Sequence, residues 1–480
     1  MAKIAHEELI LLKFMSEEYR RYLIDDLAEY ARFMWDIVEP KRDYVHNWHI
    51  DAICEHLQAV SNFEIENLVI SMPPRHMKSL LIAVFWQTWV WLKKPESRWI
   101  FSSYASNLSI RDAVKARRLI QHPRYQATFK PDWKFSNDEN MKTRFSNDAL
   151  GYRITTSVGG AGTGEGGDFI VVDDALKASD AHSENMRNNV STWWNEEMSN
   201  RANDPKRVGR VIVMQRLHED DLAGMCLKSG DYEELKLPAE FTGSTRVTSI
   251  GWSDPRVKDG ELLWPDRFDS EWIAKEKRKL GSYASSSQLQ QDPVPKGGGL
   301  FKRLWWKFYT ELPKTKITLA QFWDCAQKPG ITNDFSVCAT WLKSINGYYL
   351  VDLYRDKLET PDLERAIVCQ FLKFKPNAVV IEDKSAGSSV IQYVRRNQKL
   401  IPIIPYDPGS RDKVSRAAAA TPMIESGNAY LPAATSWLED FLMEHQKFPN
   451  DTHDDQVDTT SMMVDYFNIN VDYNPRARSL

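Results

Sequence analysis

The chain has 480 residues, enough for two or three domains each with its own core, and its 42% hydrophobic and 27% charged content is that of an ordinary globular protein. A net charge of −4 excludes a uniformly basic nucleic-acid binder. It leaves room for a local basic groove, because phosphate contacts depend on the field of a patch. Five cysteines without a C-x-x-C pair exclude a disulfide scaffold and fit a reducing compartment.

Nothing at the start reads as a signal peptide. Residues 7 to 39 have helical spacing with mixed charge and stop at Pro40. "LVISMPPRHMKSLLIAV" (68–84) then reads as an apolar strand, a short loop, and Lys78-Ser79 opening a helix. That is the layout of a nucleotide phosphate loop, in which backbone N–H groups cradle phosphates. Met72 and Met77 stand where such loops carry glycine, six and one before the lysine. Glycine is needed only where φ is positive or the backbone must approach closely, and Pro73-Pro74 can set the loop entry without it. The run "LLIAVFWQTWVWL" is too short and too interrupted to span a bilayer and reads as a buried helix.

Short apolar strands then alternate with helices: "ENLVISM", "RWIFSSY", "DFIVVDD" and "RVIVMQR". Near-continuous apolar strands separated by helices predict a parallel sheet covered on both faces. "DFIVVDD" ends in Asp173 and Asp174, the acids that a nucleotide site needs for magnesium and for the attacking water. Singly, a Lys-Ser pair or an Asp-Asp pair is ordinary; together, in this order, they point to a nucleoside triphosphate site. Arg75 adds a cation within reach of the phosphates. "GTGEGG" precedes a strand instead of following one, so a dinucleotide fold fails its context test.

Near residue 290 the alternation stops at "QQDPVPKGGGLF", which reads as a linker. Three strands follow ("ITLAQFWDCA", "DFSVCATWL", "GYYLVDLYRD"), the last two joined across Asn346-Gly347, a strong hairpin signal. Helices then alternate with the strands "NAVVIED" and "LIPIIPY". Three antiparallel strands followed by this alternation is the order of a ribonuclease H-like domain. Its acids are Asp324, Glu382 and one of Asp454 and Asp455, with Asp455 favoured. "NDTHDDQVDTT" spaces Asp451, Asp455 and Asp458 for one helix face. Carboxylates gathered in this way require a cation, here Mg²⁺ or Mn²⁺, with two ions expected.

"PPRHMKS" resembles the variant Walker A of the large terminase subunits of tailed bacteriophages, in which an arginine sits early in the loop. "SVGGAGTGEGGDFIVVDDALK" is similar to that family's approach to Walker B, "VIVMQRLHEDDLAG" to its coupling segment, and "HDDQVD" to its last nuclease motif. The resemblance runs from about residue 40 to 467. It implies an α/β chain with a helical region at 1–45, a P-loop ATPase domain at 46–290, a linker at 291–300, a ribonuclease H-like nuclease at 301–470 and a disordered tail at 471–480. ATP would be bound by Trp48 and His49 (adenine), Pro74, Arg75, His76, Lys78, Ser79 and Gln215. Ser79 and Asp173 would hold Mg²⁺, and Arg75 and Asp174 would act in hydrolysis. Asp324, Glu382, Asp454 and Asp455 would hold the nuclease metals. The implied partners are double-stranded DNA, a portal protein and a small terminase subunit. The implied setting is a homo-oligomeric ring on the procapsid in host cytoplasm, absent from the mature virion, with no membrane. A helicase- or resolvase-type ATPase–nuclease and an ATPase-inactive scaffold are the alternatives. "RDAVKARR" (111–118), "NDPKRVGR" (203–210) and the basic residues of 393–416 are candidate DNA contacts, each weak alone.

Overall fold

The computed structural model describes residues 16–160, 164–243, 246–293, 299–325, 335–384, 386–409, 411–449 and 453–469. Residues 294–298 of the Pro/Gly linker, Asp451 and the tail 471–480 lie outside the described residues. The chain divides into two compact units, one taking in the residues to 277 with 283–294, the other 278–282 and those from 295. No helix among the described residues is long and apolar enough to cross a membrane.

The first unit is built on eight strands: β1 (Asn67–Ser71), β2 (Arg98–Ser103), β3 (Phe135–Asn140), β4 (Arg144–Asn147), β5 (Tyr152–Ser157), β6 (Phe169–Asp173), β7 (Gly209–Met214) and β8 (Glu233–Lys236). Their spatial order is β3-β4-β5-β2-β6-β7-β1-β8. From β5 to β8 every pairing is parallel, and β3 and β4 add an antiparallel edge. The apolar runs explain the burial. Along β6, Phe169 and Val171 enter one core while Ile170 and Val172 enter another on the opposite face. β7 repeats the division, with Val211 and Val213 on one side and Ile212 and Met214 on the other. "FSNDEN", "RFSN", "YRITTS" and "EELK" form β3, β4, β5 and β8 without such a pattern, and the sequence reading missed them.

The helical spacing of 7–39 becomes two helices among its described residues, Glu17–Asp25 and Leu27–Val38, with Asp26 capping the second through the Glu29 N–H. Leu27, Tyr30 and Met34 belong to the first unit's core, and Tyr30 donates to Thr88 Oγ1 at 2.8 Å.

The second unit has a mixed seven-stranded sheet of β9 (Lys307–Tyr309), β10 (Thr318–Asp324), β11 (Ser336–Ser344), β12 (Gly347–Asp356), β13 (Ala378–Glu382), β14 (Ile403–Tyr406) and β15 (Ala429–Pro432). The order is β14-β13-β10-β11-β12-β15-β9. β10, β11 and β12 are antiparallel, and β13 and β14 run parallel beside β10. This is the ribonuclease H-like order expected from the sequence. The β11–β12 hairpin turns where Asn346-Gly347 predicts it, with Gly347 at φ +133°.

Candidate functional site

In the first unit, β1 delivers the chain to the loop at 72–77. Met72 continues the strand pairing, its N–H donating to Met214 O at 3.2 Å. Met77 instead adopts φ +69°, and Arg75 φ +67°. The glycine conformation is thus kept at one of the two positions and carried by methionine, at a cost of roughly 1–2 kcal/mol for a residue with a Cβ. Helix begins at Lys78 with no side-chain cap from Met77, which leaves the first N–H groups without a side-chain partner. It continues as a buried π-helical stretch, Leu81–Trp86.

Asp173 and Asp174 stand at the end of β6. In the sheet β7 lies between β6 and β1. The gap is closed by side chains: the Lys78 ammonium pairs with the Asp174 carboxylate. Asp174 itself has φ +50° and accepts weakly from the Gln215 N–H at 3.4 Å. Burial, reinforced by the neighbouring Asp174, pushes Asp173 up to about 7, against the pull of Lys78 and Ser79. Its buried Oδ1 accepts no hydrogen bond. A buried carboxylate oxygen left open beside a serine hydroxyl suits a hard divalent cation such as Mg²⁺.

These groups open onto a cleft of about 710 Å³, of nucleotide size. Pro74, Arg75, Lys78, Ser79, Asp173 and Asp174 line it, together with Trp35, Arg42, Arg267 and Phe268. Trp48, His49, His76 and Gln215 do not. His49 is fully buried against Trp264, with ring centroids 4.8 Å apart, and Trp48 stacks on Trp252 at 6.2 Å. Burial lowers His76 to about 4, and its Nδ1 lies 2.9 Å from Pro74 O. His49 packs against His76 of the loop, with ring centroids 6.0 Å apart.

Beyond Gln215, the segment after β7 is organised by a residue the sequence reading did not single out. Asp221 is buried and pairs with Arg216 Nε at 2.9 Å. It also accepts from the N–H groups of Leu217 (2.8 Å), His218 (3.2 Å) and Gly224 (2.8 Å), the last starting the helix Leu222–Ser229. An aspartate just before "LAG" is a helix-cap signal, and that could have marked it.

In the second unit, the parallel register pairs Trp323 with Ile381, so Asp324 and Glu382 follow at adjoining strand ends. The helix Asp455–Ile469 brings Asp455 and Asp458 one turn apart, both buried. Asp324 is raised well above the usual carboxylate range by burial and by the charges of Asp458, Asp455 and Glu382, with Lys413 opposing. Asp454 meets Lys413 Nζ at 2.7 Å, and Asp458 meets both Lys413 and Arg416. Asp458, Lys413 and Arg416 were outside the predicted site residues. The all-oxygen donors suit Mg²⁺ or Mn²⁺ in kind, although among the described residues no three acids, histidines or cysteines converge closely enough to grip an ion as they stand.

The basic stretches are largely engaged within the protein: Lys115 with Glu39 at 2.6 Å, Arg210 with Glu66 at 2.8 Å and Arg411 with Asp465 at 2.6 Å.

Residues 321–467, which contain all of these acids, match the family model for the terminase RNase H-like domain. The second unit resembles a terminase RNase H-like domain. Among solved structures, the large terminase of a thermophilic bacteriophage is similar at a TM-score of 0.51 and 10% identity, over 86% of this chain and 98% of that one. The HK97 bacteriophage large terminase is similar at 0.35 and 10% identity, over 82% and 87%. The magnesium-bound large terminase nuclease of the thermophilic phage G20c is similar at 0.27 and 15% identity, over 35% and 97%. No curated protein matches the chain. The fold accords with the resemblance to large terminases read from the motifs, a parallel-sheet α/β unit of P-loop type in one chain with a unit similar to the terminase RNase H-like domain.

Proposed function

We propose that the chain is the ATP-driven motor and endonuclease of a viral DNA-packaging machine. The observation that carries the reading is the cleft at the phosphate loop, where Lys78, Asp174, Ser79 and the open oxygen of Asp173 meet, in one chain with a unit similar to the terminase RNase H-like domain. Lys78 leaves Asp174 to hold the triphosphate, and the freed Asp174 orients the attacking water. Arg75, exposed on the cleft rim, stabilises charge on the transferring phosphoryl group from within the chain. Ser79 and Asp173 would hold magnesium, which would supply neutralisation of phosphate charge. The base lies against Trp35 and Phe268 instead of Trp48 and His49. Asp174 also accepts from Gln215, so its release from Lys78 is transmitted to the segment that Arg216 and Asp221 hold rigid.

Asp324, Glu382 and Asp455, with Asp454 beside them, form the nuclease centre, where divalent metal would supply Lewis-acid activation of water. The working form is a ring on the procapsid portal in host cytoplasm, gripping double-stranded DNA delivered by a small terminase subunit.

Steady-state ATP hydrolysis by the purified chain, with and without double-stranded DNA, tests this. Lys78→Ala and Arg75→Ala should each lower the rate at least about 100-fold while metal-dependent DNA cleavage persists. Hydrolysis that survives Lys78→Ala would remove this loop from the mechanism.

A further inference from the structure

The cleft at the phosphate loop holds three charged groups that the proposed hydrolysis does not use: Arg111, Asp112 and Arg153. Arg153, on β5, is fully buried, its guanidinium carbon 3.7 Å from the centroid of the Phe101 ring. Its Nη1 donates to Ala83 O at 2.6 Å and to Gln87 Oε1 at 2.9 Å, both in the helical run that follows the loop. Its Nε and Nη2 have no hydrogen-bond partner among the described residues. Burial lowers Arg153 to about 9, with the charge of Asp112 opposing. Asp112, on the helix Ser106–Ile120, is only 2% exposed, yet both its oxygens serve its neighbour in sequence. Arg111 Nε and Nη2 each donate to them at 2.8 Å. Arg111 is exposed in the cleft, and beyond its bonds to Asp112 the charge of Asp173 helps to raise its pKa. Two adjacent residues paired at a surface contribute little. Here a buried carboxylate is held by an exposed arginine while a buried guanidinium lacks acceptors, which is the unfavourable arrangement of the two.

We propose that Arg111 reads the terminal phosphate of a bound nucleoside triphosphate: it swings from Asp112 to that phosphate, and the released Asp112 turns to Arg153. The inference rests on the nucleotide reading of the cleft. A guanidinium fork suits two phosphate oxygens as well as it suits a carboxylate, so Arg111 exchanges one bidentate partner for another. No charge is left alone, because Asp112 gains the open Nε and Nη2 of Arg153. In phosphate-loop enzymes the magnesium, which Asp173 would hold here, lies between the last two phosphates of the triphosphate. The field of Asp173 at Arg111 therefore puts this arginine on the side of the terminal phosphate, which a diphosphate lacks. Asp112 and Arg153 are positioning residues.

The test is calorimetric titration of the full chain with ADP and with ATPγS, each in the presence of Mg²⁺. Arg111→Gln should weaken ATPγS binding at least about tenfold and leave ADP binding unchanged. Arg153→Met keeps the bulk but leaves Asp112 no second partner, and should weaken ATPγS in the same selective way. Equal loss of both nucleotides in Arg111→Gln, or loss of neither, overturns the proposal. So does an unchanged ATPγS affinity in a natively folded Arg153→Met; should that variant not fold, Arg111→Gln decides alone. Lys78→Ala should weaken both nucleotides. If it does while Arg111→Gln fails to single out ATPγS, only the role of Arg111 falls. If the wild type binds neither nucleotide, the nucleotide reading of the cleft falls with it.

Discussion

At the scale of single residues, Met77 is the informative case. The phosphate loop proposed at 72–77 needs one backbone position in the left-handed region to turn its N–H groups inward, and glycine normally supplies it. Here methionine takes φ +69° and keeps its side chain buried in the adjoining core. Met77→Gly relieves the backbone but gives up the buried contacts, so the two effects, each about 1–2 kcal/mol, nearly cancel. Met77→Val loses contacts and places a β-branched residue where it is least tolerated, and should cost more than about 2 kcal/mol. Urea denaturation of both variants separates the effects. A valine variant as stable as the glycine variant would show that the loop does not hold this conformation in solution.

Among the elements, the segment after β7 shows how one local signal organises a stretch of chain. Asp221 is at once a helix cap, the partner of Arg216 and the acceptor for two further backbone N–H groups. Removing it leaves a buried guanidinium unpaired. Asp221→Ala should therefore destabilise the first unit by about 3–5 kcal/mol, whereas Asp221→Asn keeps part of the cap and should cost less. Chemical denaturation followed by tryptophan fluorescence checks the order. Equal costs would mean that the ion pair contributes nothing beyond the cap.

For the whole molecule, two units with separate cores should melt as two transitions. Each carries an acid whose pKa is raised by desolvation, Asp173 in one and Asp324 in the other. A carboxyl group raised in the folded state stabilises fully below its unfolded value. That contribution is lost as pH rises through the folded value, about 7 for Asp173. At pH 8 without metal, Asp173→Asn should therefore raise the first unit's transition and leave the second. Asp324→Asn should raise only the second. The gain is on the order of a kcal/mol, readable by calorimetry. A shift of both transitions by either variant would mean that the units do not unfold independently.

Much of this was legible without coordinates. Continuous apolar runs ending in Asp173, Asp324 and Glu382 specify strand ends, because a run buried on both faces must be a central strand and its first charged residue must emerge at the rim. The Lys78-Ser79 pair and the hairpin at Asn346-Gly347 are likewise local chemistry, fixed by short-range sterics and hydrogen bonding. Polar strands such as β3 and β8 were not legible, since an edge strand needs no apolar pattern. Nor were the partners across long separations. That β7 lies between β1 and β6, that Lys78 meets Asp174, that His49 and Trp48 pack against tryptophans instead of lining the cleft, and that Lys413 enters the acid cluster depend on strand order and helix placement. The sequence determined which residues stand at the rims of the sheets. Only the tertiary structure decided which of them meet, because that follows from packing many elements at once and no local pattern encodes it.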